Sequence, residues 1–186
     1  MDDLKFMKEY LKRYRSSLFK TDVSNQMIRM KEMLLEVKKN GRKVIIAGNG
    51  GSAAMASHVA VDFTKQGGIR TVNFNEADLI TCFANDYGYE LWVAKALEFY
   101  GDEGDVVILI SSSGSSNNIV NAAKTANQLG MPVITFTGFE PGNPLKNEGQ
   151  LNFWVDSKAY NIIENTHQIW MLMACDMIIG KAEYSA

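Results

Sequence analysis

VVILISSSGSSNNIVNAA, residues 106–123, is the stretch that decides the fold of this chain. Its five leading apolar residues predict a buried strand, and the serine-rich turn after them leads into a predicted helix at Asn117. The first N–H groups of a helix are unpaired and lie at the positive end of the helix dipole, so they can hold an anion. Serine hydroxyls add neutral donors, and Gly114 lets the backbone approach a ligand closely. The stretch lacks the Gly-Lys-Ser/Thr of a nucleoside-triphosphate loop, so it predicts a site for a small phosphorylated ligand.

A second turn of the same form, Gly48-Asn49-Gly50-Gly51-Ser52, lies between a predicted strand at 44–47 and a predicted helix at 53–65. Its glycines do not have the spacing of a dinucleotide fingerprint, and a tight structural turn explains this motif alone nearly as well as a ligand does. Two such turns are more informative, because ligands of open α/β sheets bind beside the carboxyl ends of the strands.

The rest of the chain alternates between strand and helix patterns, without an internal repeat or a linker. Such alternation predicts a parallel sheet covered by helices on both faces, and the length suits one domain spanning 1–186. A turn cluster is predicted at 138–144. The predicted strands are 44–47, 70–74, 106–110, 132–136 and 151–155, and the predicted helices are 53–65, 79–84, 90–99, 117–129 and 161–179.

Two amphipathic helices are predicted before the first strand, one at 4–18 and one beginning near Asp22. So much apolar surface predicts that residues 1–41 help to form a homo-oligomer. Residues 1–43 also carry 12 Lys and Arg against 6 Asp and Glu, although the net charge of the whole chain is −2. Because the basic residues are dispersed, solvated helix faces or pairing with another subunit are favoured over nucleic-acid contact.

Composition narrows the class of protein. With 46% hydrophobic and 22% charged residues, the chain has the balance of an ordinary globular protein. The apolar run at 169–175 is too short to span a membrane, and the first residues lack the apolar core of a signal peptide. Cys82 and Cys175 lie in apolar helical patterns and form no Cys-x-x-Cys pair, so we expect buried free thiols in a reducing cytoplasm.

Ionisable residues near the predicted site allow more than one interpretation. His58 and Asp62 are four residues apart on one helix face, where they can hold a divalent metal, divide proton-transfer work or form a surface ion pair. Asp86 can accept hydrogen bonds from sugar hydroxyls or cap the following helix. On the last helix, Glu164 is followed by His167, which we expect to be a satisfied, half-buried residue.

Several motifs, in this order and spacing, make the chain resemble the sugar isomerase (SIS) domain family and, within it, the phosphoheptose isomerases. These enzymes convert sedoheptulose 7-phosphate to a heptose 7-phosphate for bacterial surface polysaccharide. The similarity covers nearly the whole chain, including the two N-terminal helices. It is carried by Ala47-Gly48-Asn49-Gly50-Gly51-Ser52-Ala53-Ala54, His58 with Asp62, Ala84-Asn85-Asp86-Tyr87-Gly88, Ile110-Ser111-Ser112-Ser113-Gly114-Ser115-Ser116, Thr135-Phe136-Thr137-Gly138, and the helix of Glu164 and His167.

The resemblance implies a three-layer α/β/α sandwich with a flavodoxin-like parallel sheet, assembled as a homotetramer with sites between subunits. It also implies that a carboxylate at Asp62 works with a histidine on the last helix in an enediol proton transfer, and that some members bind zinc with these groups. The residues implied to bind the sugar phosphate are Asn49, Gly50, Gly51, Ser52, Asp86, Ser111, Ser112, Ser113 and Ser116.

The chain departs from the family pattern at three positions. Asp62 stands where Glu is usual, Glu164 where Gln is usual, and Leu172 replaces the histidine. Leucine neither moves a proton nor ligates a metal, which leaves three alternatives. Glu164 takes over the acid/base work, or zinc held by His58, Asp62 and Glu164 polarises the carbonyl, or the chain binds the sugar without this chemistry. We therefore expect an aldose–ketose isomerase with Asp62 and Glu164 as catalytic residues, the alternative being a non-catalytic sugar-phosphate-binding protein that resembles the DnaA initiator-associating protein.

Overall fold

One five-stranded parallel sheet organises the chain, of which a computed structural model describes residues 2–184. The strands are β1 (Val44–Gly48), β2 (Thr71–Asn73), β3 (Val106–Ser111), β4 (Val133–Thr137) and β5 (Leu151–Trp154). They lie in the order β2-β1-β3-β4-β5, and every neighbouring pair is parallel. This is the strand order of flavodoxin-like folds, so the predicted sheet is confirmed.

Helices cover both faces of the sheet. One face carries α2 (Ser24–Lys39), α3 (Gly51–Lys65) and α8 (Tyr160–Ile179), with α1 (Asp3–Phe19) packed against α8, and the other carries α4 (Ala77–Tyr87), α5 (Trp92–Tyr100), α6 (Asn117–Gln128) and α7 (Pro144–Glu148). Side chains of β3 alternate between the two cores: Ile108 and Ile110 belong to the first, Val107 and Leu109 to the second. Both faces of the central strands are therefore buried, which explains their unbroken apolar runs.

The register of the sheet places the two predicted turns side by side. Gly48, the last residue of β1, pairs with Ile110 near the end of β3. The turns that follow these strands therefore leave the same edge of the sheet, and each leads directly into a helix.

Helix α1 contributes little to the core of its own chain. Ser17 is its buried residue, and its hydroxyl lies 3.0 Å from that of Thr166 on α8. The apolar side chains of Leu4, Met7 and Leu11 are exposed, Leu11 to 65%. The first half of the amphipathic stripe predicted for this helix thus lies uncovered on the isolated chain, whereas Tyr14 and Leu18 are half-buried.

Turns occupy residues 138–143 as predicted, and the short helix α7, which was not predicted, follows them. Asn143 caps this helix because its side chain accepts the N–H of Lys146 at 3.0 Å. The prediction that Cys82 is buried is wrong, since α4 has no fully buried residue, whereas Cys175 is buried as expected. Among residues 2–184, none of the helices combines the length and apolar character needed to cross a bilayer.

Candidate functional site

A pocket of about 120 Å³ lies where the turns after β1 and β3 meet. Helices α3 and α6 both begin beside it, so two sets of unpaired N–H groups and two positive dipole ends lie near the same space. Both predicted turns contribute to it. Its lining residues are Asn49, Ser52, Ile110, Ser111, Ser112, Ser113, Ser116, Tyr160 and Glu164.

The serine turn supplies hydroxyl groups to this pocket. Ser111 Oγ donates to Ser116 Oγ at 3.2 Å, and Ser113 Oγ accepts the N–H of Ser115 at 3.2 Å. The hydroxyl of Ser112 is buried and has no hydrogen-bond partner among residues 2–184. Since a buried polar group without a partner is costly, a hydrogen bond from a ligand to this hydroxyl would be stabilising.

Gly114 is required by the shape of the serine turn. Its φ of 66° lies in the left-handed region, and a Cβ at this position would lie 2.7 Å from the Cβ of Asn143. Asn143 is itself held in place, because its Nδ2 donates to Thr137 Oγ1 at 3.1 Å. The turn therefore packs on a buried amide that leaves no room for a side chain.

The glycine turn is shaped by two close contacts. A Cβ at Gly48 would lie 2.6 Å from the Cβ of Ser52, and a Cβ at Gly51 would lie 2.8 Å from Cδ of Glu164. The Glu164 carboxylate thus lies over the first turn of α3, where the helix dipole favours negative charge.

An amide pair links the two turns. Asn49 Nδ2 donates to Asn118 Oδ1 at 2.9 Å, and Asn118 Nδ2 donates to Asn49 Oδ1 at 2.8 Å. The hydroxyl of Tyr89 also donates to Asn49 Oδ1, at 3.1 Å. The sequence indicated Asn49, whereas Asn118 and Tyr89 were missed. The available signal for Asn118 was its place in the first turn of the helix after the serine run.

A second polar group lies farther along α3. His58 Nε2 is 3.3 Å from Asp62 Oδ2, and Gln168 Nε2 on α8 is 2.8 Å from His58 Nδ1. Because an amide nitrogen can only donate, Nδ1 accepts and Nε2 carries the proton that faces Asp62. Because His58 is exposed, its pair with Asp62 contributes little to folding stability. No role had been predicted for Gln168.

The two predicted catalytic carboxylates lie apart within one chain. Glu164 covers Gly51, and Asp62 follows Gly51 by eleven residues, which is about 16 Å along an ideal helix. Within residues 2–184, no three His, Cys, Asp or Glu side chains lie together in a way that could hold a metal ion. The predicted zinc donors His58, Asp62 and Glu164 therefore do not fit one ion in a single chain.

Asp86 lies in the last turn of α4, outside the lining of the pocket. Its Oδ1 accepts from Asn85 Nδ2 at 2.8 Å, and the side chain is exposed. The interpretation of Asp86 as a cap of the following helix is wrong, because Leu91 occupies the N-cap of α5. Its carboxylate is free to accept hydrogen bonds from sugar hydroxyls.

Two ionisable groups on α8 differ in their access to the pocket. Glu164 is half-buried at its wall, and desolvation raises the pKa of its carboxyl group above the ordinary value. His167 is fully buried rather than half-buried as expected, and its Nε2 donates to the carbonyl of Thr137 at 3.0 Å. Burial lowers the pKa of His167 to about 4, so this histidine is neutral at pH 7. It is not among the residues that line the pocket.

Comparison with known proteins decides the family. Residues 8–138 match the family model of the SIS domain. The chain belongs to the SIS domain family. This SIS-domain chain is 31% identical over 185 residues to the phosphoheptose isomerase of Helicobacter pylori strain P12, a match that covers 96% of this chain and 95% of the relative.

Solved structures agree with this assignment to the SIS domain family. The phosphoheptose isomerase GmhA of Neisseria gonorrhoeae superposes with a TM-score of 0.84 and 28% identity, covering 94% of this chain and 96% of that one. A phosphoheptose isomerase from Francisella tularensis superposes with a TM-score of 0.89 and 26% identity, covering 97% and 100%. The expected family and sandwich fold are confirmed.

Leu172 occupies a distinctive place in this SIS-domain chain. It lies one turn beyond Gln168 on α8, half-buried against the core formed by α2, α3 and α8. A leucine there can supply neither a proton nor a metal ligand. Acid/base chemistry in this chain must therefore use other groups.

Proposed function

We propose that this chain is a phosphoheptose isomerase that converts sedoheptulose 7-phosphate to D-glycero-D-manno-heptose 7-phosphate in the cytoplasm, for surface polysaccharide synthesis. The observation that carries the proposal is the pocket in which serine hydroxyls meet the N-termini of α3 and α6. Similarity to a phosphoheptose isomerase over 96% of the chain supports the seven-carbon sugar as the substrate.

The pocket residues have a natural division of work. Ser52, Ser111, Ser113 and Ser116 bind the phosphate, and Ser112 completes the set because its buried hydroxyl lacks another partner. Gly50 and Gly51 keep the backbone of the first turn open to the ligand. Asn49 and Asp86 contact the sugar.

The carboxylates carry the proton transfer. Asp62 takes the proton from C1 of the ketose and returns it to C2 of the enediol, which gives the aldose. Glu164 moves a proton from the oxygen on C1 to the oxygen on C2. Its raised pKa suits this task because more of the carboxyl group stays protonated. Loss of one general acid or base costs on the order of a hundred- to ten-thousand-fold in rate, so we expect slow turnover.

A site shared between two subunits would bring Asp62 and Glu164 together. Since Asp62 lies about three turns from the Gly51 end of α3, one chain does not offer it to its own pocket. We place Asp62 of one subunit at the pocket of another in a homotetramer to which residues 1–41 contribute. The exposed apolar side chains of Leu11, Val61 and Met173 support such an assembly, and Val61 is next to Asp62 in sequence.

The proton transfer is assigned to the carboxylates alone, because His58, Asp62 and Glu164 do not lie together around one ion within residues 2–184 of a single chain. Added zinc in the activity assay measures any effect of the metal.

Leu172 favours a second candidate. A chain without a proton carrier at position 172 retains the serine-lined pocket, and it can bind a sugar phosphate without converting it.

The deciding experiment incubates the purified full chain with sedoheptulose 7-phosphate, with and without added zinc, and follows the aldose product. We expect slow turnover that falls at least a hundredfold in Asp62→Asn, whereas this variant still binds the substrate in calorimetry. Binding without turnover under both conditions would reject the isomerase and favour the second candidate.

A further inference from the structure

We infer that Asn118 and Tyr89 are positioning residues that hold Asn49 so that one remaining amide N–H donates to the ligand of the pocket. The inference deepens the proposed function and rests on it, because the ligand is taken to be the phosphosugar. It concerns contacts 69 and 40 residues apart in sequence, between three segments at one edge of the sheet.

Counting donors and acceptors gives the direction of the hydrogen bond to the ligand. An asparagine side chain has two acceptor positions on oxygen and two hydrogens on nitrogen. Asn49 Oδ1 accepts from both Asn118 Nδ2 and the Tyr89 hydroxyl, so both acceptor positions are filled. One hydrogen of Nδ2 goes to Asn118 Oδ1, and one remains.

The remaining N–H sets what Asn49 can recognise. Because Asn49 lines the pocket, this hydrogen is the polar contact that its side chain can still offer there. It suits an acceptor on the ligand, such as a phosphate oxygen or the carbonyl oxygen of the open-chain sugar. A sugar hydroxyl that needs an acceptor finds none on this side chain.

The two positioning residues act from opposite sides. Asn118 is 2% exposed, at the start of α6 beside the serine turn, so it provides a fixed buried anchor. Tyr89 is 55% exposed and lies three residues after Asp86, so its hydroxyl ties the segment that carries Asp86 to Asn49. The network therefore orients Asn49 before the ligand arrives, and binding does not need to order this side chain.

The test is a double-mutant cycle on the full chain, with sedoheptulose 7-phosphate as the ligand in isothermal calorimetry. We expect Asn118→Ala and Tyr89→Phe each to weaken binding about five- to tenfold in the wild-type background. In an Asn49→Ala background neither change should weaken binding further, because both residues act through Asn49.

The matched control is Asn121→Ala. Asn121 lies one turn farther along α6 and donates to the carbonyl of Glu90 at 3.0 Å, so it also joins two segments but does not touch Asn49. This variant should bind the sugar phosphate as the wild type does. Tyr89→Phe keeps the test sound if Asn118→Ala folds poorly, since it removes one exposed hydroxyl and little packing.

Kinetics separates positioning from a general loss of structure. We expect KM to rise in Tyr89→Phe by more than kcat falls, with an unchanged melting temperature in the absence of ligand. Wild-type binding in both variants, or equal losses with and without Asn49, would overturn the inference. If the wild type binds the sugar phosphate without turning it over, only the isomerase proposal fails, and the double-mutant cycle still tests the inference. If the wild type does not bind the sugar phosphate, both the proposed function and the inference fail.

Discussion

Gln168 Nε2 on α8 lies 2.8 Å from Nδ1 of His58 on α3, and His58 Nε2 lies 3.3 Å from Asp62 Oδ2, so His58 joins Gln168 to Asp62. Farther along α8, burial and the nearby Asp62 carboxylate raise the pKa of the Cys175 thiol to about 11. Leu172 lies between these two contacts in the sequence of α8. Leu172, where the family resemblance implies a histidine, therefore lies nearer to His58 and Asp62 than to the serine-lined pocket.

Leu172→His should raise the rate of aldose formation by at least tenfold, because it restores a proton carrier beside Asp62. The same change would give His58 and Asp62 a third donor, so we expect the variant to retain zinc after dialysis. The measurements are the initial rate and the metal content. Met173→His, at the exposed neighbouring position, is the control, and an equal rate in both variants would mean that the rest of the site has diverged.

Glu164→Gln tests the effect of a carboxylate in a phosphate pocket. A bound phosphate repels the ionised carboxylate, so the complex favours protonated Glu164, whose pKa is already raised by burial. As pH rises through that pKa, the free carboxyl loses its proton and affinity should fall, by at most about tenfold per pH unit. Calorimetry at several pH values should show this fall in affinity for the sugar phosphate in the wild type. In Glu164→Gln, the affinity should change with pH only through the titration of the phosphate group itself.

The same substitution has an effect on folding stability. The folded state holds the Glu164 proton more tightly than the unfolded state, so this group favours folding at pH values below its unfolded pKa. That contribution is lost as pH rises through the raised folded pKa. Glu164→Gln should therefore be at least as stable as the wild type at neutral pH, and a lower melting temperature there would contradict the assignment.

Ser113→Ala combined with Ser116→Ala should weaken binding of the sugar phosphate about tenfold or more, since two neutral donors to the anion are lost. Neither side chain belongs to the apolar core, so the melting temperature should change by only a few degrees. Ser115→Ala is the control, because Ser115 is exposed and outside the pocket lining. Equal binding by the wild type, the double serine variant and Ser115→Ala would show that this turn does not hold the phosphate.

Mixing two impaired variants, Asp62→Asn and the double serine variant, tests whether sites are shared when the substrate is kept well below the KM. Asp62→Asn keeps the pocket, and the double serine variant keeps Asp62. If a site takes its pocket from one subunit and Asp62 from another, exchange of subunits in a mixture should restore about a quarter of the wild-type sites. Activity no higher than that of the separate variants, after exchange is verified by mass spectrometry, would place each site within one chain.

His167 should make the protein sensitive to acid. Its pKa is about 4 in the folded state against 6.5 as the ordinary value, so the unfolded state binds the proton more readily. The contribution of neutral His167 to the free energy of unfolding is fully present above pH 6.5 and is lost as pH falls, by about 3 kcal/mol at pH 4. His167→Gln can still donate to the carbonyl of Thr137, and urea unfolding between pH 7 and 4 should show a smaller slope for it.

Features that depend on neighbouring residues in the chain could be predicted. Apolar runs ending in glycine- or serine-rich turns indicated the strands, the turns and the helices after them, because turn chemistry and side-chain periodicity are local. The same signals placed Asn49, Ser52 and the serine run at one edge of the sheet. Cys82 was misjudged for the reason that periodicity shows which residues share a face, not whether another element covers it.

By itself, the sequence determined the parallel α/β architecture and the turns that follow β1 and β3. It also led to the predictions that these turns bind phosphate and that Leu172 stands in place of a histidine. Only the tertiary structure decided which distant side chains meet: Asn49 with Asn118, His58 with Gln168, and Glu164 with Gly51. It also separated Asp62 from Glu164. The physical reason is that contacts between helices depend on how α3, α6 and α8 pack on the sheet, which is set by the whole core and not by any one segment.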